Sequence, residues 1–283
     1  MTRPLRIEFE GAFYHIISRG NEKSNIYRDI KDRKNFLDIL RVLVKRFQWK
    51  VHTYCLMDNH YHLLVETPLP NLSEGMRQLN GIYTQRFNRR WNRVGHLFQG
   101  RFKSYIIDKE SYFLELCRYI VLNPLQGGNV KNIEDWEWSS YQTLTGLNSK
   151  KDIVFTDTIW SYFSKQVNKA QKQYRDFVYA GIGKDDKIHS NARGGFIIGG
   201  ENFTKSIVQR LKTKKLIEIK KEERYPDRPE MDKIFYNKSR NEGIGIAINQ
   251  WGYGLQEVGN FVNLHYSTVS RIAKRYQNAK NKT

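Results

Sequence analysis

Cysteine, proline and long apolar runs are all scarce in this chain of 283 residues, which has two cysteines and six prolines. Cys55 and Cys117 cannot build a disulfide framework or a CxxC metal site, and each sits in an apolar segment, so both read as reduced core residues. No run approaches the roughly 20 apolar residues of a membrane-crossing helix, and the N-terminus has no apolar signal segment. A cytoplasmic, nucleoid-associated protein with no membrane partner is the expectation. Acidic residues are also few, 29 against 48 lysines and arginines, for a net charge of +19. That imbalance implies a polyanionic partner, and an aromatic share of 13% supplies flat faces on which bases can stack.

The shortage of acid is sharpest between Gly75 and Ile107, where no Asp or Glu occurs beside Arg77, Arg86, Arg89, Arg90, Arg93, Arg101 and Lys103. An exposed helix ordinarily mixes signs to gain local pairs, so this stretch reads as a phosphate-facing groove. Trp91, Phe98 and Tyr105 are candidates for base stacking, although aromatics in such a domain more often fill the core.

The apolar run Val51 to Met57 and the segment His60-Tyr61-His62-Leu63-Leu64-Val65-Glu66 read as two buried strands joined at Asp58-Asn59. Strand alternation puts His60 and His62 on one face, about 6 to 7 Å apart, with Tyr61 on the other. Two imidazoles so placed can share a cation, while the bland alternative is a pair of packing residues. Further along, Asp108 is placed to cap a helix, and Pro124 is expected to end it after Asn123. Phe113, Leu116, Cys117, Ile120 and Val121 form its apolar face, and Tyr119 and Asn123 stand one turn apart away from that stripe. Upstream, Ala12 to Ser18 reads as a strand in which His15 is expected to pack or to bond within the sheet, with contact to a phosphate as the lesser alternative. Asp32 is expected to open a helix burying Phe36, Leu37, Leu40, Val44 and Phe47, and Leu72 to Trp91 forms another with Met76, Leu79, Tyr83 and Phe87 inward. A strand from Phe102 to Ile107 completes the order strand, helix, strand, strand, helix, strand, then helix. That order predicts an α+β fold with a ferredoxin-like, split βαβ antiparallel sheet.

His-x-His on a strand followed by Tyr-x-x-x-Asn on a later helix resembles the REP-associated tyrosine transposases, single-tyrosine HUH enzymes of IS200-like type. Phe13-Tyr14-His15-Ile16-Ile17-Ser18-Arg19-Gly20, Gly95-His96-Leu97-Phe98-Gln99-Gly100-Arg101-Phe102-Lys103-Ser104 and Tyr119-Ile120-Val121-Leu122-Asn123-Pro124 follow the family's order. The resemblance implies a metal-dependent endonuclease and strand transferase acting on single-stranded or hairpin DNA through a 5′-phosphotyrosine. It implies Tyr119 as nucleophile, Mg²⁺ or Mn²⁺ on His60, His62 and Asn123, and palindromic repeats as partner. Glu115 is a candidate base. A non-catalytic DNA-binding regulator on a retained nuclease fold is the alternative, and an HUH replication or mobilisation protein is a third.

The expected domains are residues 1–146 for catalysis, 147–229 as a helical connection with a basic linker, and 230–283 as a DNA reader. Within the connection a helix is expected from Ile159 to Ala180, and Gly194 to Gly200 reads as a turn around a short apolar strand, because it lacks the spacing of a nucleotide loop. Arg210 to Arg224 is strongly basic, and Pro226 and Pro229 mark a linker. Leu255 to Gly259, a turn at Asn263-Leu264 and a second helix from Ser267 resemble a helix-turn-helix. Val258, Leu264, Val269 and Ile272 would form its small core, with Ser267, Thr268, Ser270, Arg271 and Lys274 facing duplex DNA. The segment from Met231 to Ile248 is expected to add preceding helices, as in the C-terminal domain of bacterial replication initiators.

Overall fold

The computed structural model describes residues 6–148, 153–184, 188, 192–211 and 225–280. They fall into two compact units, one within 6–191 and one within 192–283.

The first unit runs β1 (Ala12–Arg19), α1 (Ile30–Phe47), β2 (Lys50–Leu56), β3 (His60–Thr67), α2 (Leu72–Arg90), β4 (Lys103–Ile107) and α3 (Lys109–Gln126). Its strands lie in the order β2-β3-β1-β4 with every pairing antiparallel, which is the split βαβ arrangement. Helices cover both faces, so the strands read as nearly continuous apolar runs. Tyr61 on one face packs on Phe36 of α1, with ring centroids 4.8 Å apart, while Phe13 on the other meets Phe113 of α3 at 5.7 Å. The outer edge of β2 is closed by residues 138–140: Leu56 N–H donates to Trp138 O at 2.8 Å, and Ser140 N–H to Tyr54 O at 3.0 Å. An edge so covered offers no template for another strand.

Five expectations need correction. Asp29, not Asp32, caps α1, because its side chain accepts from Asp32 N–H. The buried stripe of α1 is turned toward Ile39 and Leu43, leaving Leu37 and Val44 half-buried. Pro124 does not end α3, which continues to Gln126. Proline leaves Ile120 O without its usual donor four residues on, and the Asn123 side chain fills in: Nδ2 donates to Tyr119 O at 2.8 Å and reaches Ile120 O at 3.4 Å. Asp108 takes the N-cap position of α3 without a capping side-chain bond, accepting instead from Ser111 Oγ. After α4 (Tyr141–Leu144), the helix expected over 159–180 is two, α5 (Asp157–Ser161) and α6 (Val167–Tyr179). Ser164 Oγ accepts from Gln166 N–H between them, a local turn that competes with helix continuation.

The second unit contains β5 (Ile197–Ile198), α7 (Glu201–Leu211), α8 (Met231–Phe235), α9 (Arg240–Asn249), α10 (Leu255–Val262) and α11 (Tyr266–Lys280). Arg193 bridges to Ile197 across Gly194 and Gly195, both at positive φ, so the glycine-rich stretch is indeed a turn beside a short apolar strand. The basic run expected over 210–224 lies outside the described residues from 212 onward. Between α10 and α11, Asn263 adopts the left-handed conformation at φ 54, ψ 49. A Cβ on Gly259 would stand 2.6 Å from Leu264 O, so only glycine admits this turn. His265 occupies the start of α11, its carbonyl accepting from Thr268 N–H at 2.9 Å. Val258, Val269, Ala273, Ile244 and Ala247 form the core, with Leu264 and Ile272 packed against it. Among the described residues no helix is long and apolar enough to cross a membrane.

Close packing of α2 on Trp49 gives a direct test of the first unit. A Cβ on Gly75 would lie 2.2 Å from the Trp49 ring. Gly75→Ala should therefore destabilise the protein by about 1–3 kcal/mol through overpacking, read as a lowered urea midpoint with an unchanged slope.

Candidate active site

The turn that delivers the paired histidines is held from several sides. Asp58 is ion-paired with Arg33, and its carbonyl accepts from Ile26 N–H at 2.9 Å and Tyr27 N–H at 3.3 Å. The Arg33 guanidinium lies 5.4 to 5.6 Å from the ring centres of Tyr27, Trp136 and Trp138. Asn59 O accepts from Gly20 N–H at 2.8 Å, which ties the turn to the end of β1.

The Asn59 side chain then fixes His60. Its Nδ2 donates to Lys23 O at 3.0 Å, so its Oδ1 is turned to His60 Nδ1, 2.7 Å away. An amide oxygen only accepts, so His60 carries its proton on Nδ1 and its lone pair on Nε2. Burial, with the Arg19 cation opposing a second charge, pulls the His60 imidazole down to about 4, and the ring is neutral at pH 7. Arg19 stands directly across from His60 in the β1–β3 register and is exposed at the strand end.

His62 sits one alternation further into the sheet, its ring centroid 4.9 Å from that of His60. Its Nδ1 shares a hydrogen bond with Nε2 of the fully buried His15 at 2.9 Å. Tyr119 on α3 presents its ring edge-on to both, with centroids 5.9 Å from His62 and 6.1 Å from His15. Tyr105 of β4 stacks on His15 from the other side at 6.0 Å. The structure thus gathers His60, His62 and Tyr119 as the sequence anticipates, gives His15 the in-sheet bond expected of it but with His62 as the partner, and adds Arg19, which sequence reasoning left aside. Both share the parity of the site face of β1, but only the register reveals which β3 residues they meet.

Asn123 lies one turn beyond Tyr119. With Nδ2 turned back to the helix carbonyls, its Oδ1 points away from them. Among the described residues no cluster of three His, Cys, Asp or Glu side chains could hold a metal ion. The nitrogens that could face a cation here are His60 Nε2 and the second nitrogen of His62, to which the sequence resemblance adds the Asn123 amide oxygen. That donor set suits a divalent ion that retains water ligands. Glu115 is ion-paired with the largely buried Arg118, whose guanidinium lies 4.7 Å from the Phe177 ring centre.

The basic residues divide into two kinds. Arg77, Arg89, Arg101 and Lys103 are exposed. Arg86 donates to Asn35 Oδ1 at 2.8 Å, and Arg93 is half-buried against Phe87 and Asn88. Arg90 is ion-paired with Asp29 and with the buried Asp32, so the acid missing from α2 is supplied by the start of α1. Hydrogen bonding to Arg90 draws the Asp29 carboxyl down to about 2. Phe98 is buried, and Trp91 donates to Asp32 Oδ2 at 3.0 Å, so both belong to the packing. In the second unit Ser267, Ser270, Arg271 and Lys274 are exposed along α11, while Thr268 is half-buried and its Oγ1 accepts from Arg271 at 3.4 Å.

A split βαβ sheet thus places paired histidines on a central strand beside a tyrosine from the covering helix, the arrangement expected from the sequence resemblance. Residues 9–123 match the family model described as "Transposase IS200 like". The match spans well under half of the chain and is a likeness of its first unit. The chain is 23% identical over 140 residues to a Haemophilus influenzae protein provisionally named a REP-associated tyrosine transposase, covering 46% of this chain and 78% of that one. Two solved structures are also similar. One is a REP-associated tyrosine transposase bound to a REP hairpin, with TM-score 0.44 and 16% identity over 59% of this chain and 93% of that chain. The other is provisionally named a transposase, from Deinococcus radiodurans R1, with TM-score 0.31 and 18% identity over 42% and 95%.

Arg90 and Arg89 are neighbours with different roles. Arg90→Ala should lower the melting temperature, because it removes the cation paired with the buried Asp32 carboxylate and leaves it only neutral donors. Arg89→Ala should leave stability within about 0.5 kcal/mol. Thermal melts of the two variants side by side check this.

Proposed function

We propose that this protein is a DNA endonuclease and strand transferase that cleaves single-stranded or hairpin DNA through a covalent bond to Tyr119. The observation that carries this is the placement of the Tyr119 ring against His62 and His15, beside a His60 ring that is neutral and presents a lone pair. Tyr119 Oη attacks the scissile phosphorus, the P–O3′ bond breaks, and the proton released by the phenol is balanced by the one taken up on the departing 3′-oxygen, which leaves as a free 3′-hydroxyl. The result is a 5′-phosphotyrosine. The bond energy is kept in that ester, so the 3′-hydroxyl of a second strand can attack it and reseal DNA without ATP.

A phenol has an ordinary pKa near 10 and a phosphodiester repels anions, so the site needs positive charge. Mg²⁺ or Mn²⁺ held by His60, His62 and Asn123 would supply that charge and polarise the phosphate. His60 and Asn123 contribute to this by orientation: each has its donor group tied back, which turns a lone pair outward. Arg77, Arg89, Arg101 and Lys103 are proposed to follow the backbone phosphates, with Arg86 and Arg93 joining after rearrangement. Arg90 is left to the fold.

Palindromic repeats are the proposed target, on the strength of the family's REP association. The second unit is proposed to read duplex DNA through α11, with Ser267, Thr268, Ser270, Arg271 and Lys274 toward the groove. This assigns residues 1–146 to cleavage, 147–229 to the connection and 230–283 to recognition, in a cytoplasmic protein working at the nucleoid.

Incubation with a suitable hairpin should leave a covalent protein–DNA adduct whose mapped peptide contains Tyr119, and excess chelator should prevent it. Tyr119→Phe should fold and bind DNA while forming no adduct and making no cut. Cleavage with no adduct at any time would instead mean hydrolysis by water. For the second unit, Arg271→Ala and Lys274→Ala should each weaken duplex binding and reduce its salt slope by about 1, with cleavage of a short hairpin unchanged.

A further inference from the structure

His15 is fully buried and lies on the site face of β1, yet it is not among the residues that would touch DNA or a cation. Burying an imidazole is unfavourable unless its polar atoms are bonded, and an aliphatic residue would suit a central strand better. The structure gives this histidine a specific partner: His15 Nε2 lies 2.9 Å from His62 Nδ1, with the two rings stacked at 5.2 Å. Tyr105 and Tyr119 pack on the His15 ring at 6.0 and 6.1 Å, which hold it in that position.

A hydrogen bond between two imidazoles needs one nitrogen that donates and one that accepts. Were His62 to accept at Nδ1, its own proton would sit on Nε2, and it would meet the site as a donor. Were His62 to donate through Nδ1, its lone pair would sit on Nε2, matching the arrangement that Asn59 imposes on His60. Only the second case gives the two neighbouring rings the same character.

We propose that His15 is a positioning residue that accepts from His62 Nδ1–H and so holds His62 as the tautomer with its lone pair on Nε2. This rests on the reading of His60 and His62 as ligands, and it predicts that each ligand has its own orienting partner, Asn59 for one and His15 for the other. Such partners typically contribute about 10–100-fold in metal affinity.

The test uses full-length protein as wild type, His15→Gln and His15→Phe. Glutamine sets an acceptor oxygen near the place of Nε2, whereas phenylalanine keeps the ring volume without any acceptor. Long-range ¹⁵N–¹H NMR of metal-free protein reads which His62 nitrogen bears the proton, and it needs no variant to decide the wild-type state. Nδ1–H is expected in wild type and in His15→Gln, with a mixture of tautomers in His15→Phe. Mn²⁺ titration followed by EPR should show binding weakened by about 10–100-fold in His15→Phe and largely restored in His15→Gln. Nε2–H in wild-type His62, or an unchanged Nδ1–H in a folded His15→Phe protein, would overturn the proposal. If wild type shows the expected tautomer but binds no Mn²⁺, the role of His15 stands and the metal reading of the site fails instead.

Discussion

The register between β1 and β3 is the constraint on which the rest of this site depends. With Ile17 opposite His62 and Arg19 opposite His60, the odd-numbered residues of β1 and the histidines of β3 share the face covered by α3. A slip of one residue would turn every one of those side chains to the face occupied by α1 and α2. The register is pinned at the open end by Gly20 N–H bonding to Asn59 O, and along its length by buried apolar residues on both faces. The arrangement of the candidate site therefore rests on backbone pairing before any side chain contributes.

Much of this was legible in the sequence, because the strands are short apolar runs bounded by turn residues and α2 and α3 keep a clean helical period. His60, His62 and Tyr119 could be found by parity and spacing within single elements. The contributions of His15 and Arg19 could not, since they depend on which strand neighbours which. Arg90 shows the same limit for charge: α2 contains only basic residues beyond Glu74, but its compensating acids lie some 60 positions earlier at the start of α1. Spacing alone also failed at Pro124, where a local rule about helix ends was overridden by one side chain. The break between α5 and α6 was hidden because apolar residues continue through it in nearly helical rhythm.

The two units use different physical means to present polar groups. In the first, His15 and His62 are buried and His60, Tyr119 and Asn123 half-buried, and His15, His60, His62 and Asn123 are oriented by hydrogen bonds to neighbouring groups. In the second, the candidate DNA-facing groups stand on the outer face of one helix over a small core, and Gly259 and Asn263 set the angle of that helix. The first arrangement suits a reaction that needs fixed atoms, the second a surface that must follow the shape of a partner.

Asn123 and Pro124 illustrate how a backbone defect can choose a side chain. The missing proline N–H leaves a carbonyl that needs a donor, and the preceding side chain supplies it while keeping an oxygen for the opposite direction. Aspartate would set an anion against two carbonyl oxygens, glutamine would carry the amide one methylene too far, and serine would have no second acceptor to turn outward. The helical defect thus acts as a chemical filter: once proline is present, asparagine alone among these serves both sides of position 123, and the identity of one residue is written into the shape of the next.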